Sequence, residues 1–264
     1  MGTTSQRSVA LVTGASSGIG RAVCRELVAR GGRVVMVARR EDRLAELEAE
    51  LGDAAVGVLG DVTRDDGLSD AVDLVRSRFG RLDIALANAG FGVGRPVERL
   101  VIDDFRRQFE TNVLGVLRTL YATLPDLKAT RGVFAITGSV AGHLSTPGSV
   151  AYSMSKFAVR ALAEGLRAEL APSGVAVVLL SPGYVTSEIR QVDRHGRYRA
   201  EFRDPVPGWL QMPADVAARK MVRAIERRRP EAVITGHGKL LVFMARHLPR
   251  VSRWIAGRLG SAGD

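Results

Sequence analysis

Val9-Ala-Leu-Val-Thr13-Gly14-Ala-Ser16-Ser17-Gly18-Ile-Gly20 is a short apolar run that breaks into a glycine-rich turn, and an amphipathic pattern begins inside that turn. The order strand, loop, helix carries a physical meaning. Glycines let the backbone turn tightly and approach a pyrophosphate, while the free N–H groups and the positive end of the helix dipole face the anion. Gly14, Ser16, Ser17, Gly18 and Gly20 are therefore read as a dinucleotide's phosphate loop. The spacing is Gly-x3-Gly-x-Gly rather than the commoner Gly-x-Gly-x-x-Gly, and the alternative reading is a glycine-rich turn that holds no ligand.

Outward from this loop, apolar runs at 9–12, 34–38, 55–59, 84–87, 133–137, 175–180 and 232–235 alternate with longer amphipathic segments. Most of the runs are continuously apolar rather than alternating, as expected for parallel strands covered by helices on both faces. The fold class predicted is α/β: a single Rossmann-type, doubly wound domain over 8–236 with a seven-stranded parallel sheet, followed by a C-terminal helical extension at 237–264. Helices are predicted at 19–29, at 43–51 with Leu44, Leu47 and Leu51 on one face, and at 65–79 opened by Thr63-x-x-Asp66. Further helices are expected at 103 to about 127, 150–171 and 214–227. Connections are short except 184–212, which carries Tyr198, Phe202 and Trp209 and is long enough to form a lid.

The chain has 264 residues, 46% hydrophobic and 25% charged, which excludes disorder and collagen-like order. Its single cysteine, Cys24, cannot form an internal disulfide, so a reducing cytoplasm is the expected location. No stretch approaches the roughly 20 apolar residues of a membrane span, and no signal peptide is read at the N-terminus. Of the net charge of +10, the whole excess falls between Arg190 and Arg258, with 16 basic against 6 acidic residues. Because 34 of the 38 basic residues are Arg, the excess is read as compositional bias, and nucleic acid is not an expected partner.

Arg39 and Arg40 close the second strand, where an acidic residue would accept from a ribose 2′-hydroxyl and an arginine would hold a 2′-phosphate. No carboxylate intervenes before Glu41, so NADP(H) is the expected cofactor rather than NAD(H). The alternative is two solvated arginines at a strand end.

Tyr152 and Lys156 are four apart on a predicted helix and so share a face. An adjacent ammonium favours phenolate, as does the positive charge of an oxidised nicotinamide, so Tyr152 is expected to exchange a proton near neutral pH. Ser139 ends the fifth strand at the edge where α/β sheets bind ligands, and its hydroxyl can hydrogen-bond a substrate oxygen. The bland readings are a loop-capping serine and a Tyr–Lys pair on an exposed helix face.

With these residues in place the sequence resembles the short-chain dehydrogenase/reductase family over roughly residues 8 to 236. The motifs in register are Thr13-Gly-x3-Gly-x-Gly20, Asp61-Val62, Asn88-Ala89-Gly90, Asn112 in Thr-Asn-Val-Leu, Ser139, Tyr152-x3-Lys156 and Pro182-Gly183. The resemblance implies hydride transfer between NADP(H) and a carbonyl or alcohol, with Tyr152 as acid/base, Ser139 orienting the oxygen, and Lys156 holding the ribose and lowering the tyrosine pKa. It further implies that Asn112 joins a proton relay through water to Lys156; an Asn inside a helix is otherwise solvent-facing or disturbs the hydrogen-bond ladder. By the same resemblance Ile19 belongs to the pyrophosphate loop, Asp61 and Val62 to the adenine, and Asn88, Ala89 and Gly90 to a wall beside the cofactor. Pro182, Gly183, Val185 and Thr186 fall on the nicotinamide side. The substrate class expected is a small apolar ketone, aldehyde or secondary alcohol. A non-catalytic nucleotide sensor on the same fold is the alternative, which the intact Ser139, Tyr152 and Lys156 set disfavours.

His143, His195, His237 and His247 have no metal-ligand spacing, so no metal is expected. His143 is read as an exposed loop histidine, with pocket lining as the alternative. In the extension, a helix at 240–248 is divided by Pro249 from a basic amphipathic segment with Val251, Trp254, Ile255 and Leu259 on one stripe and Arg250, Arg253 and Arg258 mostly off it. It could pack on the domain, shape the pocket mouth, bury its stripe in a homodimer or homotetramer, or touch an anionic membrane surface peripherally.

Overall fold

The continuously apolar runs become strands whose two faces are both covered. The computed structural model describes residues 8–191, 198–199, 201–202, 204 and 206–251. Its strands are β1 (Val9–Thr13), β2 (Arg33–Ala38), β3 (Ala55–Leu59), β4 (Ile84–Ala87), β5 (Val133–Thr137), β6 (Ala176–Ser181) and β7 (Glu231–Val233). They form one sheet of order β3-β2-β1-β4-β5-β6-β7, parallel throughout. Every residue of β1, β4 and β5 is buried, which is why those segments show no polar alternation.

Helices supply the crossovers that parallel neighbours require. They are α1 (Gly18–Ala29), α2 (Glu41–Leu51), α3 (Ser69–Leu74), α4 (Ile102–Phe109), α5 (Gly115–Thr130), α6 (Val150–Leu170), α7 (Ala214–Glu226) and α8 (Gly236–His247). The period-2 geometry of the strands sorts their side chains into two cores. Ala10, Val12, Val34 and Met36 pack with α1, α2 and α7, whereas Val9, Leu11, Val35 and Val37 pack with α3, α5 and α6. The strand order reverses direction between β1 and β4, which opens a crevice at their C-terminal ends.

The structure corrects several local expectations. Thr63 does not cap a helix: its N–H and hydroxyl both donate to Asp61 Oδ1, at 2.9 and 2.8 Å, and α3 starts only at Ser69. The helix expected over 103–127 runs from Ile102 to Thr130, with a π-helical turn at Glu110–Leu114 between α4 and α5. The last strand is shorter and earlier than its apolar run, because Thr235 caps α8 by accepting from the Gly238 N–H at 3.2 Å. His143 is buried rather than exposed: its Nε2 lies 3.2 Å from Ser181 Oγ and 3.1 Å from Glu231 Oε1.

The helix α8 buries Gly238 and Val242 and leaves Leu240 and Phe243 outward. Of the distal stripe, Val251 is exposed, and Arg253, Trp254, Ile255, Arg258 and Leu259 lie outside the described residues, as does His195. Among the described residues no helix is long and apolar enough to cross a membrane.

Candidate active site

The crevice holds one continuous cavity of about 780 Å³, running from the end of β2 past the first turn of α1 to the end of β5 and the start of α8. That volume lies within the usual range of small-ligand sites, about 300–1,000 Å³. At one end Arg39 and Arg40 follow β2. Arg40 donates from Nε and Nη2 to Ser16 Oγ at 3.2 and 3.1 Å, and its Nη1 pairs with Glu188 at 2.8 Å. Arg39 is the freer of the two, its side chain 58% exposed and 4.0 Å from Asp61. Asp61 and Val62 line the same end.

In the middle, Gly14, Ser16, Ser17, Gly18 and Ile19 line the cavity at the start of α1, and Gly20 lies buried just behind them. Ser17 precedes the helix in extended conformation, makes no side-chain capping bond, and no acidic residue occupies the first turn. The orphan N–H groups of the helix start are thus left to an anion. Gly18 sits at φ +51°, and a side chain there would meet Ser187 Cβ at 2.9 Å, so the chain at Ser187 passes directly against the loop. Asn88 does more than form a wall. It donates to the carbonyls of Thr13 (3.1 Å) and Gly14 (3.3 Å), accepts from Thr137 Oγ1 (3.1 Å), and so ties the ends of β1, β4 and β5 together. This cradle, free of acidic first-turn residues and flanked by arginines, fits an elongated dinucleotide.

At the far end, Ser139, Tyr152 and Lys156 converge. Ser139 and Tyr152 line the same part of the cavity, and Ser139 Oγ accepts from the Ala141 N–H at 3.1 Å. Lys156 is buried, lies 5.7 Å from the Tyr152 ring centre, and donates to the Thr137 carbonyl at 2.9 Å. Burial pushes the Lys156 ammonium down to about 8. Burial also pushes the Tyr152 phenol up, against the lowering expected from the sequence, while the nearby Ser139 hydroxyl and the Arg190 charge act the other way. The low dielectric that surrounds both groups penalises whichever carries the charge.

Asn112 is fully buried in the π-helical turn, where the ordinary ladder is interrupted. Its Oδ1 accepts from the Phe91 N–H at 3.1 Å, and its Nδ2 donates to the Phe91 carbonyl at 2.9 Å and to Ser155 Oγ at 3.0 Å. It therefore clamps the backbone beside Gly90, which with Ala89 lines the cavity. On the nicotinamide side expected from the sequence, Pro182, Gly183 and Val185 line the cavity. The adjacent Thr186 N–H donates to the Met212 carbonyl at 3.0 Å.

Sequence reasoning missed several residues here. Gly92 lies flat against Tyr152, where a side chain would meet the ring at 3.2 Å. His237 accepts the Tyr184 N–H at 3.0 Å and stacks on its ring, and His237 and Leu241 bring α8 into the cavity wall. Glu188 and Arg190 enter from the short turn after β6. The Thr235 capping signal before His237 could have located the start of α8; nothing in the local spacing marks the others.

Residues 8–197 match the short chain dehydrogenase family. The chain is 36% identical over 185 residues to an uncharacterized oxidoreductase of Staphylococcus saprophyticus, covering 69% of this chain and 75% of that protein. It is 34% identical over 191 residues to serine 3-dehydrogenase of Agrobacterium fabrum, covering 72% and 77%. A crystal structure of a short chain dehydrogenase/reductase from Burkholderia phymatum in complex with NAD superposes with a TM-score of 0.82 at 27% identity, covering 92% of this chain and 94% of that one.

Proposed function

The chain belongs to the short-chain dehydrogenase/reductase family of oxidoreductases, and from that premise we propose that it is an NADP(H)-dependent enzyme interconverting a small apolar ketone or aldehyde and its alcohol. The observation that carries this reading is the joining of Ser139, Tyr152 and Lys156 with Arg39 and Arg40 in a single cleft. When bound, the dinucleotide supplies or accepts the hydride. The turn at Ser16–Gly20 would hold its pyrophosphate, Lys156 its ribose, Arg39 and Arg40 its 2′-phosphate, and Asp61 and Val62 its adenine. Gly90, Gly183, Val185 and Thr186 would flank the nicotinamide.

The protein's own groups manage the proton. The Tyr152 hydroxyl gives its proton to the carbonyl oxygen in reduction and takes one from the alcohol in oxidation. Burial keeps that hydroxyl protonated at neutral pH, which favours the reductive direction there. Ser139 hydrogen-bonds the substrate oxygen and holds it within reach of Tyr152. Asn112 holds the Phe91 backbone, and with it Gly90 and Gly92, in the position the site needs. Phe91, Val93, Leu144, Tyr184 and Leu241 give the substrate end an apolar lining, which supports an apolar substrate.

The test is a panel of ketones, aldehydes and secondary alcohols followed by nicotinamide absorbance, with NADPH and NADH run side by side. Turnover with NADPH at least tenfold more efficient than with NADH is expected; a clear NADH preference overturns the cofactor assignment, and no turnover with any of the panel overturns the substrate class.

A further inference from the structure

The two arginines at the end of β2 are not equivalent. Arg39 is exposed and only loosely paired, whereas the donors of Arg40 are committed: Nε and Nη2 to Ser16 Oγ and Nη1 to Glu188 at 2.8 Å. Glu188 lies 148 residues downstream of Arg40, on the short turn Glu188–Arg190 at the start of the lid segment. That turn is held from both sides. Ser187 lies against Gly18 of the phosphate loop, and Arg190 forms a bidentate pair with Asp204 at 2.6 and 2.7 Å. The carboxylate of Glu188 is thereby held at the Arg39–Arg40 end of the cleft, on the guanidinium that also bonds Ser16 of the phosphate loop.

We propose that Glu188 is a specificity-determining residue that sets the balance between NADPH and NADH by competing for Arg40. This deepens the reading of Arg40 as a phosphate ligand and rests on it. A 2′-phosphate dianion reaching Arg40 displaces a carboxylate already paired there, and the two anions then repel each other at close range. A ribose bearing only hydroxyls leaves the Arg40–Glu188 pair in place. Glu188 therefore weakens NADPH binding selectively and narrows a preference that the arginines alone would make larger. In this geometry the glutamate also joins the segment after β6, through Arg40, to Ser16 of the phosphate loop.

The experiment is calorimetric or fluorescence titration of the full chain and of the E188Q, E188A and R40Q variants with NADPH and NADH, each variant first checked for an unchanged circular dichroism spectrum. E188Q and E188A are expected to tighten NADPH about five- to thirtyfold and to leave NADH within about twofold. R40Q is expected to weaken NADPH at least tenfold, and by more than it weakens NADH. An NADPH-to-NADH affinity ratio in both Glu188 variants equal to that of the parent, or both nucleotides weakened alike, overturns the inference. If only one of the two Glu188 variants folds, its ratio decides. A parent chain that prefers NADH, or an R40Q variant with unaltered ratio, overturns the cofactor reading instead, so the two failures are distinguishable.

Discussion

The Lys156 ammonium reaches across 2.9 Å to the Thr137 carbonyl, joining the helix that bears Tyr152 to the end of the strand that leads into Ser139. This bond fixes the separation of the two hydroxyl groups more directly than the Tyr152–Lys156 spacing does. It also places a cation in surroundings that disfavour charge, which gives the site a measurable dependence on pH.

Lys156 has its proton affinity lowered from 10.5 to about 8 by folding. Between those values the unfolded chain binds the proton and the folded chain does not, so this group makes stability rise with pH from about 8 to 10.5. Below about 8 the full penalty of burying the ammonium is present. The K156M variant is expected to lose that rise, and to be more stable than the parent at pH 7 by up to about 3 kcal/mol while being inactive. Thermal midpoints of the two proteins measured from pH 7 to 10.5 check this; parallel curves refute it.

Tyr152 should be indispensable to turnover and dispensable for nucleotide binding. The Y152F variant is expected to lose about 10²–10⁴-fold in kcat with the NADPH dissociation constant changed less than about threefold. Because burial raises the phenol pKa, alcohol oxidation by the parent should climb with pH while carbonyl reduction falls. Rates in both directions from pH 6 to 10 test the sign; oxidation that declines over that range is incompatible with Tyr152 as the base.

Gly92 is expected to set how closely Tyr152 can sit against the cleft wall. The G92A variant introduces a methyl group 3.2 Å from the ring, too close for both to stay in place. A fall of about five- to fiftyfold in kcat, with little change in thermal midpoint or nucleotide affinity, is the expected result. Equal activity in parent and variant rules the contact out as a positioning device.

Glu231 holds α8 to the sheet, pairing with His143 and Arg246. His143, 3.1 Å away, and then Arg246 lower its carboxyl to about 2. Its contribution is therefore complete above about 4.5 and is lost as the pH falls from there toward 2. The E231Q variant is expected to be less stable by about 1–3 kcal/mol at pH 7 and to show a flatter acid limb. Urea denaturation at pH 7 and pH 3 makes the comparison; an equal deficit at both pH values excludes the pair as its source.

Asn112 is buried and bonds three groups, the N–H and carbonyl of Phe91 and the Ser155 hydroxyl, of which the carbonyl also accepts from Gln108. Removing it leaves a buried N–H without its acceptor, which costs about 1–3 kcal/mol. The N112A variant is expected to show that loss of stability together with a lower kcat, whereas N112L with parental stability contradicts the clamp.

The phosphate loop, the seven strand runs and the Tyr152-x3-Lys156 face were legible because each depends on residues within a turn or two of one another. Helical and strand periodicities are local, so spacing along the chain already states which side chains share a face. The burial of His143, the clamp of Asn112 on Phe91, the entry of His237 and Leu241 into the cleft, and the pairing of Arg40 with Glu188 were decided only in three dimensions. Each joins segments brought together by crossovers between parallel strands, and a crossover erases the relation between distance along the chain and distance in space. The same holds for the phenol of Tyr152: four residues of spacing told of a neighbouring cation, but the burial that raises its pKa was set by tertiary packing.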